Sequence, residues 1–211
     1  MIVAGVDEAG RGPIAGPVVA AAAILTPPQI RVLLAEGMGD SKKLTERARE
    51  RIFARIRELG VLWSAQAASH LRIDRTNILR ATLWAMRRAL FKLEKIGHSP
   101  DLVVVDGTIR IPDYPAERQK TLPKADGIVP AAMAASVVAK VLRDRAMCAL
   151  HERYPEYGFA GHKGYPTKSH RAALDMLGPC PVHRLSFGGY NKDEKGKPDP
   201  QRMLGGDESW R

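Results

Sequence analysis

Two adjacent carboxylates, Asp7 and Glu8, close a short apolar run and open a glycine-rich segment, Ala9-Gly10-Arg11-Gly12. Like charges at a strand end repel, and a fold that keeps them together generally places a cation there. An arginine between two glycines lets backbone and guanidinium approach a phosphate or sugar closely. Two further acids share the setting: Asp106 follows the run Leu102 to Val105, and Asp126 stands in Lys124-Ala125-Asp126-Gly127. Hard divalent ions such as Mg2+ and Mn2+ take oxygen ligands, and carboxylates supply both oxygen and charge. Two ions on shared carboxylates can activate a water and stabilise the leaving oxygen of a phosphodiester. Each acid alone also has a plain reading, because an Asp before Gly is most often a turn residue. For Asp106 the two readings balance, and for Asp126 the turn reading is the stronger. The adjacent pair resists it, and the four together favour metal. One constraint follows: neighbours on a regular strand point to opposite faces, so if Asp7 and Glu8 share an ion the strand must twist or end there.

The elements that would carry these residues can be read from periodicity. Residues 2–6 and 17–25 predict strands joined by a Gly/Pro-rich turn, a hairpin. The polar segment Asp40-Ser41-Lys42-Lys43-Leu44 leads into a helix with Ala48, Ile52, Phe53, Ile56 and Leu59 on one face and Gly60 at its end. Residues 61–67 predict a third strand. A longer helix is expected from about Arg75, with Leu79, Leu83, Met86, Leu90 and Leu93 aligned and Gly97 closing it. Leu102 to Val105 predicts a strand buried on both faces, ending at Asp106. In open α/β sheets, chemistry gathers at the carboxyl ends of such strands. Pro112, Pro115 and Pro123 mark a loop, an alanine-rich helix spans about Ala131 to Tyr154, and Thr167 caps a shorter one. The tail after Tyr190 lacks periodicity and is expected to be disordered, which leaves residues 1–190 as one folded catalytic domain.

Composition narrows the partners. The 211 residues carry 33 basic and 23 acidic side chains, a net +10. From Asn191 onward basic and acidic residues balance, five against five, so the excess charge lies on residues 1–190. A basic folded body favours a polyanion. Cys148 and Cys180 form no CxxC pair and read as packing residues in a reducing compartment. Cys148 and His151, one helical turn apart, are too few ligands for zinc. No signal peptide is visible, and the longest apolar stretch, Val18 to Leu25, is too short for a bilayer. The expectation is a cytoplasmic protein without membrane contact.

Seven blocks occur in order: Val6-Asp7-Glu8-Ala9-Gly10-Arg11-Gly12, Gly16 to Ala20, Asp40 to Leu44, Val105-Asp106-Gly107, Ala134 to Lys140, His162-Lys163-Gly164-Tyr165 and His183 to Phe187. Together they closely resemble the type 2 ribonucleases H, bacterial ribonuclease HII in particular. The resemblance spans residues 2 to about 190. It implies a ribonuclease H-like α/β fold, a five-stranded mixed sheet flanked by helices with a helical C-terminal portion. It also implies that Asp7, Glu8, Asp106 and Asp126 are the catalytic, metal-holding carboxylates. Asp126 lies in Lys-Ala-Asp where relatives often have Lys-Gly-Asp, and its distance to the Ala-Ala-Ser block supports the match. Asp144, the rival for that role, reads as an intrahelical charge partner. Gly10, Arg11, Gly12 and Tyr165 match the elements that read the ribonucleotide, and Lys42 and Asn77 match residues near the phosphates. Lys43 is the weaker match. His162, His170 and His183 fall in matching segments without metal-ligand spacing, and structural or supporting roles are expected of them.

The function implied is a monomeric endoribonuclease that uses Mn2+ or Mg2+ on RNA–DNA hybrids and on single ribonucleotides in duplex DNA. It would cut 5′ of the ribonucleotide and leave 3′-hydroxyl and 5′-phosphate ends. The type 3 ribonucleases H, which carry an additional N-terminal domain, are the enzymatic rival; the first strand at Ile2 argues against them. The rival of another class is a silent hybrid-binding protein, for which four clustered acids would be superfluous. Gln201 to Leu204 lacks the aromatic pair of a sliding-clamp peptide and is read as chance.

Overall fold

The computed structural model describes residues 1–96 and 99–187. The expected tail, residues 191–211, and Gly97 as a helix stop lie outside the described residues. Five strands form one mixed sheet in the order β3-β2-β1-β4-β5. They are β1 (Val3–Ala9), β2 (Val18–Ile24), β3 (Leu62–Ala68), β4 (Leu102–Asp106) and β5 (Gln119–Leu122). β1 to β3 form the antiparallel part, including the expected hairpin, whereas β4 runs parallel to both β1 and β5. The helices are α1 (Pro27–Ala35), α2 (Glu46–Glu58), α3 (His70–Thr76), α4 (Ile78–Lys95), α5 (Pro130–Arg153), α6 (Phe159–His162) and α7 (Lys168–Leu177). Among the described residues, no helix is long and apolar enough to cross a membrane.

The described chain parses into two compact units. The first comprises Met1–Arg11, Pro17–Ala68 and Ile78–Arg143, the second Gly12–Gly16, Ser69–Asn77 and the segment beginning at Asp144. The first contains the whole sheet. Side-chain alternation divides that sheet into two faces. Ala21 and Ala23 of β2 pack with Leu33 of α1, Ile52, Phe53 and Ile56 of α2, and Val137, Val138 and Val141 of α5. On the opposite face Ser64 donates its hydroxyl to the Ala89 carbonyl of α4 at 2.6 Å. The register Gly5↔Ala23 and Asp7↔Ala21 therefore places Gly5 and Asp7 on the α5 face. Gly5 is opposite Val104 of β4, so Val104 and Asp106 share that face. A Cβ on Gly5 would overlap the backbone of Ala131 and Ala132, so the start of α5 lies directly against β1.

In the second unit Ile14, Ala15, Met147, Tyr157, Phe159 and Leu174 form a separate core. The Asp74 carboxylate accepts from the backbone N–H groups of Leu185 and Ser186, each at 3.0 Å. Thr167 caps α7 as expected, accepting from His170 N at 3.3 Å.

Three differences from the sequence reading have local causes. The helix expected from about Arg75 begins only at Ile78, because Asn77 adopts φ 142° and separates it from α3, a helix that the sequence pattern had not given. Thr76 Oγ1 donates back to the Arg72 carbonyl at 2.8 Å, satisfying a terminal acceptor where α3 ends. Helix α1, for which the sequence analysis gave no element, begins with two prolines, which are tolerated in a first turn. There Gln29 Oε1 accepts from Thr26 N at 2.8 Å, half of a capping box. Strand β5 is short and polar, and it is held by its pairing with β4. Its buried Gln119 bonds Ile111 N at 2.8 Å and the Ile111 and Tyr114 carbonyls at 3.1 and 3.0 Å.

The close approach at Gly5 yields the first test. Gly5→Ala is expected to destabilise the protein by about 2 kcal/mol or more, since a backbone rather than a flexible side chain must move. Urea unfolding checks this, and an unchanged midpoint would show that α5 can retreat without loss.

Candidate active site

Asp7 and Asp106 follow the paired residues Val6 and Val105 on parallel neighbours, and alternation turns both carboxyls to the α5 face. Asp126 reaches them from the 3-10 turn Ala125–Gly127 that precedes α5. The turn is entered through Lys124 in a left-handed conformation, φ 61°. Asp106 Oδ1 accepts from Ala125 N at 2.8 Å and so fixes the turn that carries Asp126. One carboxylate oxygen from each of Asp7, Asp106 and Asp126 lies within 4.8 Å of the others. Asp7 and Asp126 are each only 3% exposed.

The electrostatics follow from this burial. The Asp7 carboxyl is pushed from 3.8 up to about 8, chiefly by burial, then by the neighbouring Glu8 charge, with Asp106 adding to it. The Ser136 hydroxyl and the Glu8 N–H, which bonds Asp7 Oδ1 at 2.7 Å, act in the opposite direction. Among the described residues, Asp7 Oδ2 is buried without a hydrogen-bond partner. Glu8 is also raised, first by burial and against the pull of Arg11, with Asp106 adding to the rise. Three converging carboxylates, one of which also carries an orphaned oxygen, are the donor set that a hard divalent cation takes. Such an ion would supply the charge that buried carboxyls otherwise lack.

The other expected residues fall in definite places. The strand continues regularly through Asp7 and Glu8 to Ala9, so Glu8 leaves from the opposite face of the pleat and stands outside the three-carboxylate group, at its edge, where the Asp106 and Lys42 charges still act on it. Its Oε1 lies 3.4 Å from Arg11 Nη1. Gly10 has φ 97°, and a Cβ there would overlap the Arg143 side chain, whose Nε donates to the Pro17 carbonyl at 3.1 Å. Lys42 Nζ is 2.9 Å from Asp126 Oδ2. Partial burial works against the Lys42 charge, but the Asp126 hydrogen bond and the charges of Asp126, Asp7 and Asp106 outweigh it and raise its pKa. Asp144 is buried in α5 and is not one of the grouped carboxylates.

In the second unit, a Cβ on Gly12 would stand 3.5 Å from the Tyr165 ring, so these two expected substrate contacts are neighbours. Tyr165 is 43% exposed. Asn77 is the residue between α3 and α4. The histidines form a packed group in this unit: His170 Nε2 meets His183 Nε2 at 3.0 Å, and the His162 and His170 rings stack at 4.3 Å. His183 is pushed down to about 3 by burial and by His170, and burial lifts the Cys180 thiol to about 12. His170 and His183 are buried and bonded to each other, whereas the half-buried His162 bonds the Tyr157 carbonyl at 2.7 Å.

Sequence reasoning gave no role to Ser41 or Ser136. Their hydroxyls meet at 2.7 Å and tie the Lys42 loop to α5. Both stand inside blocks that carried the resemblance, Asp40 to Leu44 and Ala134 to Lys140, which was the available signal.

Known structures share this fold. The chain matches the ribonuclease H2 of Pyrococcus horikoshii with a TM-score of 0.73 and 29% identity, covering 90% of this chain and 95% of that one. Bst-RNase HIII, solved in complex with Mn2+, matches with a TM-score of 0.68 and 23% identity over 84% of this chain and 63% of its own. The mixed sheet flanked by helices is thus a ribonuclease H fold. The family model described as Ribonuclease HII matches residues 4–189. A relative from Methylibium petroleiphilum, "Ribonuclease HII 2", is 54% identical over 189 residues, 88% of this chain and 82% of its own. The chain belongs to the ribonuclease HII family, metal-dependent endonucleases with ribonuclease H activity.

The raised Asp7 pKa sets a pH dependence for the metal-free protein. Its contribution to stability is full below the unfolded value near 3.8. Above that value the unfolded chain gives up its proton while the folded one keeps it, so stability falls until about pH 8. Thermal melts in chelator should therefore show the melting temperature falling across this window, with a shallower slope in Asp7→Asn. Equal slopes would mean that Asp7 ionises normally when folded.

Proposed function

We propose that this protein hydrolyses the RNA strand of RNA–DNA hybrids and incises duplex DNA on the 5′ side of a single embedded ribonucleotide. The products would be a 3′-hydroxyl and a 5′-phosphate. The observation that carries the reading is the convergence of Asp7, Asp106 and Asp126 within 4.8 Å on one face of the sheet. Binding alone requires no such grouping of acids opposite a polyanion.

Asp7, Asp106 and Asp126 hold the ions, and Glu8 completes the set as the family resemblance implies. Bound as a pair, Mn2+ or Mg2+ would supply an activated water and charge stabilisation for the departing 3′ oxygen. The chain's remaining tasks are positioning and selection. Gly10, Arg11 and Gly12 present backbone close enough to test for the 2′-hydroxyl, the group that separates RNA from DNA at one sugar. The Tyr165 ring stacks on the following deoxyribose, where an extra hydroxyl would crowd it. Lys42 and Asn77 contact flanking phosphates, and the +10 net charge favours the duplex. The protein acts as a cytoplasmic monomer, with residues 1–190 as the catalytic body.

A DNA duplex containing one ribonucleotide, incubated with and without Mn2+, tests this directly. One metal-dependent cut 5′ of the ribonucleotide is expected. A cut elsewhere would refute the specificity, and binding without product would leave a silent hybrid-binding protein. Asp106→Asn should lower turnover about a thousandfold while binding in Ca2+ persists. Tyr165→Ala should lose about tenfold on the single-ribonucleotide substrate at an unchanged melting temperature, the scale of one base-stacking contact. Parental turnover in either variant removes that residue from the mechanism.

A further inference from the structure

Lys42 occupies an unexpected place for a phosphate ligand. Its ammonium lies 2.9 Å from Asp126 Oδ2, on one of the three carboxylates that converge to hold metal. The backbone beneath it is anchored twice. Ser41 is bonded to Ser136 of α5 at 2.7 Å, and Lys42 N donates to Asp40 Oδ1 at 3.0 Å. The side chain itself is 70% exposed, so a long flexible arm in solvent swings from a fixed base. A monovalent and a divalent cation close to the same carboxylate repel each other strongly where water is partly excluded.

We propose that Lys42 is a built-in placeholder cation: it neutralises Asp126 in the metal-free protein and is displaced towards substrate phosphate when a divalent ion enters. The inference rests on the reading of Asp126 as a metal ligand. It gives Lys42 two successive partners instead of one. It also makes the lysine a competitor of the metal, so that its removal strengthens ion binding. A residue that served phosphate alone would have no effect on ion binding in the absence of nucleic acid.

Lys43 provides the control. It has the same charge one residue further on, is 84% exposed, and lies 3.7 Å from Asp40 rather than on the acidic group. Mn2+ binding is titrated by calorimetry or electron paramagnetic resonance, without nucleic acid, for the parent, Lys42→Met, Lys43→Met and Asp126→Asn. Lys42→Met is expected to bind Mn2+ at least about threefold more tightly, and to gain more melting temperature on Mn2+ addition than the parent does. Lys43→Met should match the parent. Unchanged affinity in Lys42→Met, or an equal gain in Lys43→Met, would overturn the placeholder and leave only a general charge effect. Asp126→Asn separates the two layers of the argument. If it binds Mn2+ as well as the parent, the assignment of Asp126 to the metal site fails. If it loses binding while Lys42→Met stays at the parental value, only the placeholder fails.

Discussion

Two like charges held side by side on neighbouring parallel strands are the constraint around which the first unit is arranged. Asp7 and Asp106 follow paired residues and face the same side, at the roughly 4.8 Å spacing of adjacent strands. Burial first, then the Glu8 charge and to a lesser extent that of Asp106 oppose ionisation of Asp7, and its carboxyl rises to about 8. The surroundings relieve this only in part. Ala125 N bonds Asp106, Glu8 N bonds one oxygen of Asp7, and the other Asp7 oxygen has no partner among the described residues. A group this incompletely satisfied persists because the fold around it is determined by other contacts.

Those contacts come mainly from α5 and the segment leading into it. Gly5 lets the helix backbone lie on β1 two residues before Asp7, a distance no side chain would permit. The helix then delivers Ser136 to both Asp7 and Ser41. Ser41 in turn fixes the base of the Lys42 arm. A single close approach between a glycine and a helix start thus sets the third carboxylate, the hydroxyl that moderates the first, and the cation on the third.

The parts of this arrangement visible in the sequence were those with a period or a strong local rule. The apolar runs at β1, β2 and β4 and the aligned apolar face of α2 are legible because burial on one or two faces imposes a pattern. Strand β5 was not, since Gln119 to Leu122 is polar and depends on its pairing with β4 and on the contacts of one buried glutamine. Nor was the break at Asn77, where a helical pattern runs unaltered across a residue with φ 142°. Of the candidate site, the four acids could be named in advance from residue type and setting as well as from the resemblance, but whether the strand runs on and divides them between two faces could not. That division depends on β1 continuing through the acidic pair to Ala9, which the glycines following it had made easy to doubt.

The continuation gives the pair its structural meaning. Adjacent in sequence, Asp7 and Glu8 are unlike in position: the pleat sends one carboxyl under α5 and the other away from it, beside Arg11. Their charges still act on each other, because Glu8 is the second cause of the raised Asp7 pKa and Asp106 contributes to that of Glu8. Directly after β1, the chain turns at Gly10 against the buried Arg143 side chain, in a conformation that favours glycine. The arginine that neutralises Glu8 therefore emerges from a backbone already fixed by α5. In consequence, cations borne on anchored loops stand at both edges of the acidic group, Lys42 at Asp126 and Arg11 at Glu8. Both side chains are more than half exposed, so the proposed exchange of a carboxylate for a phosphate requires little movement of the backbone that carries each of them.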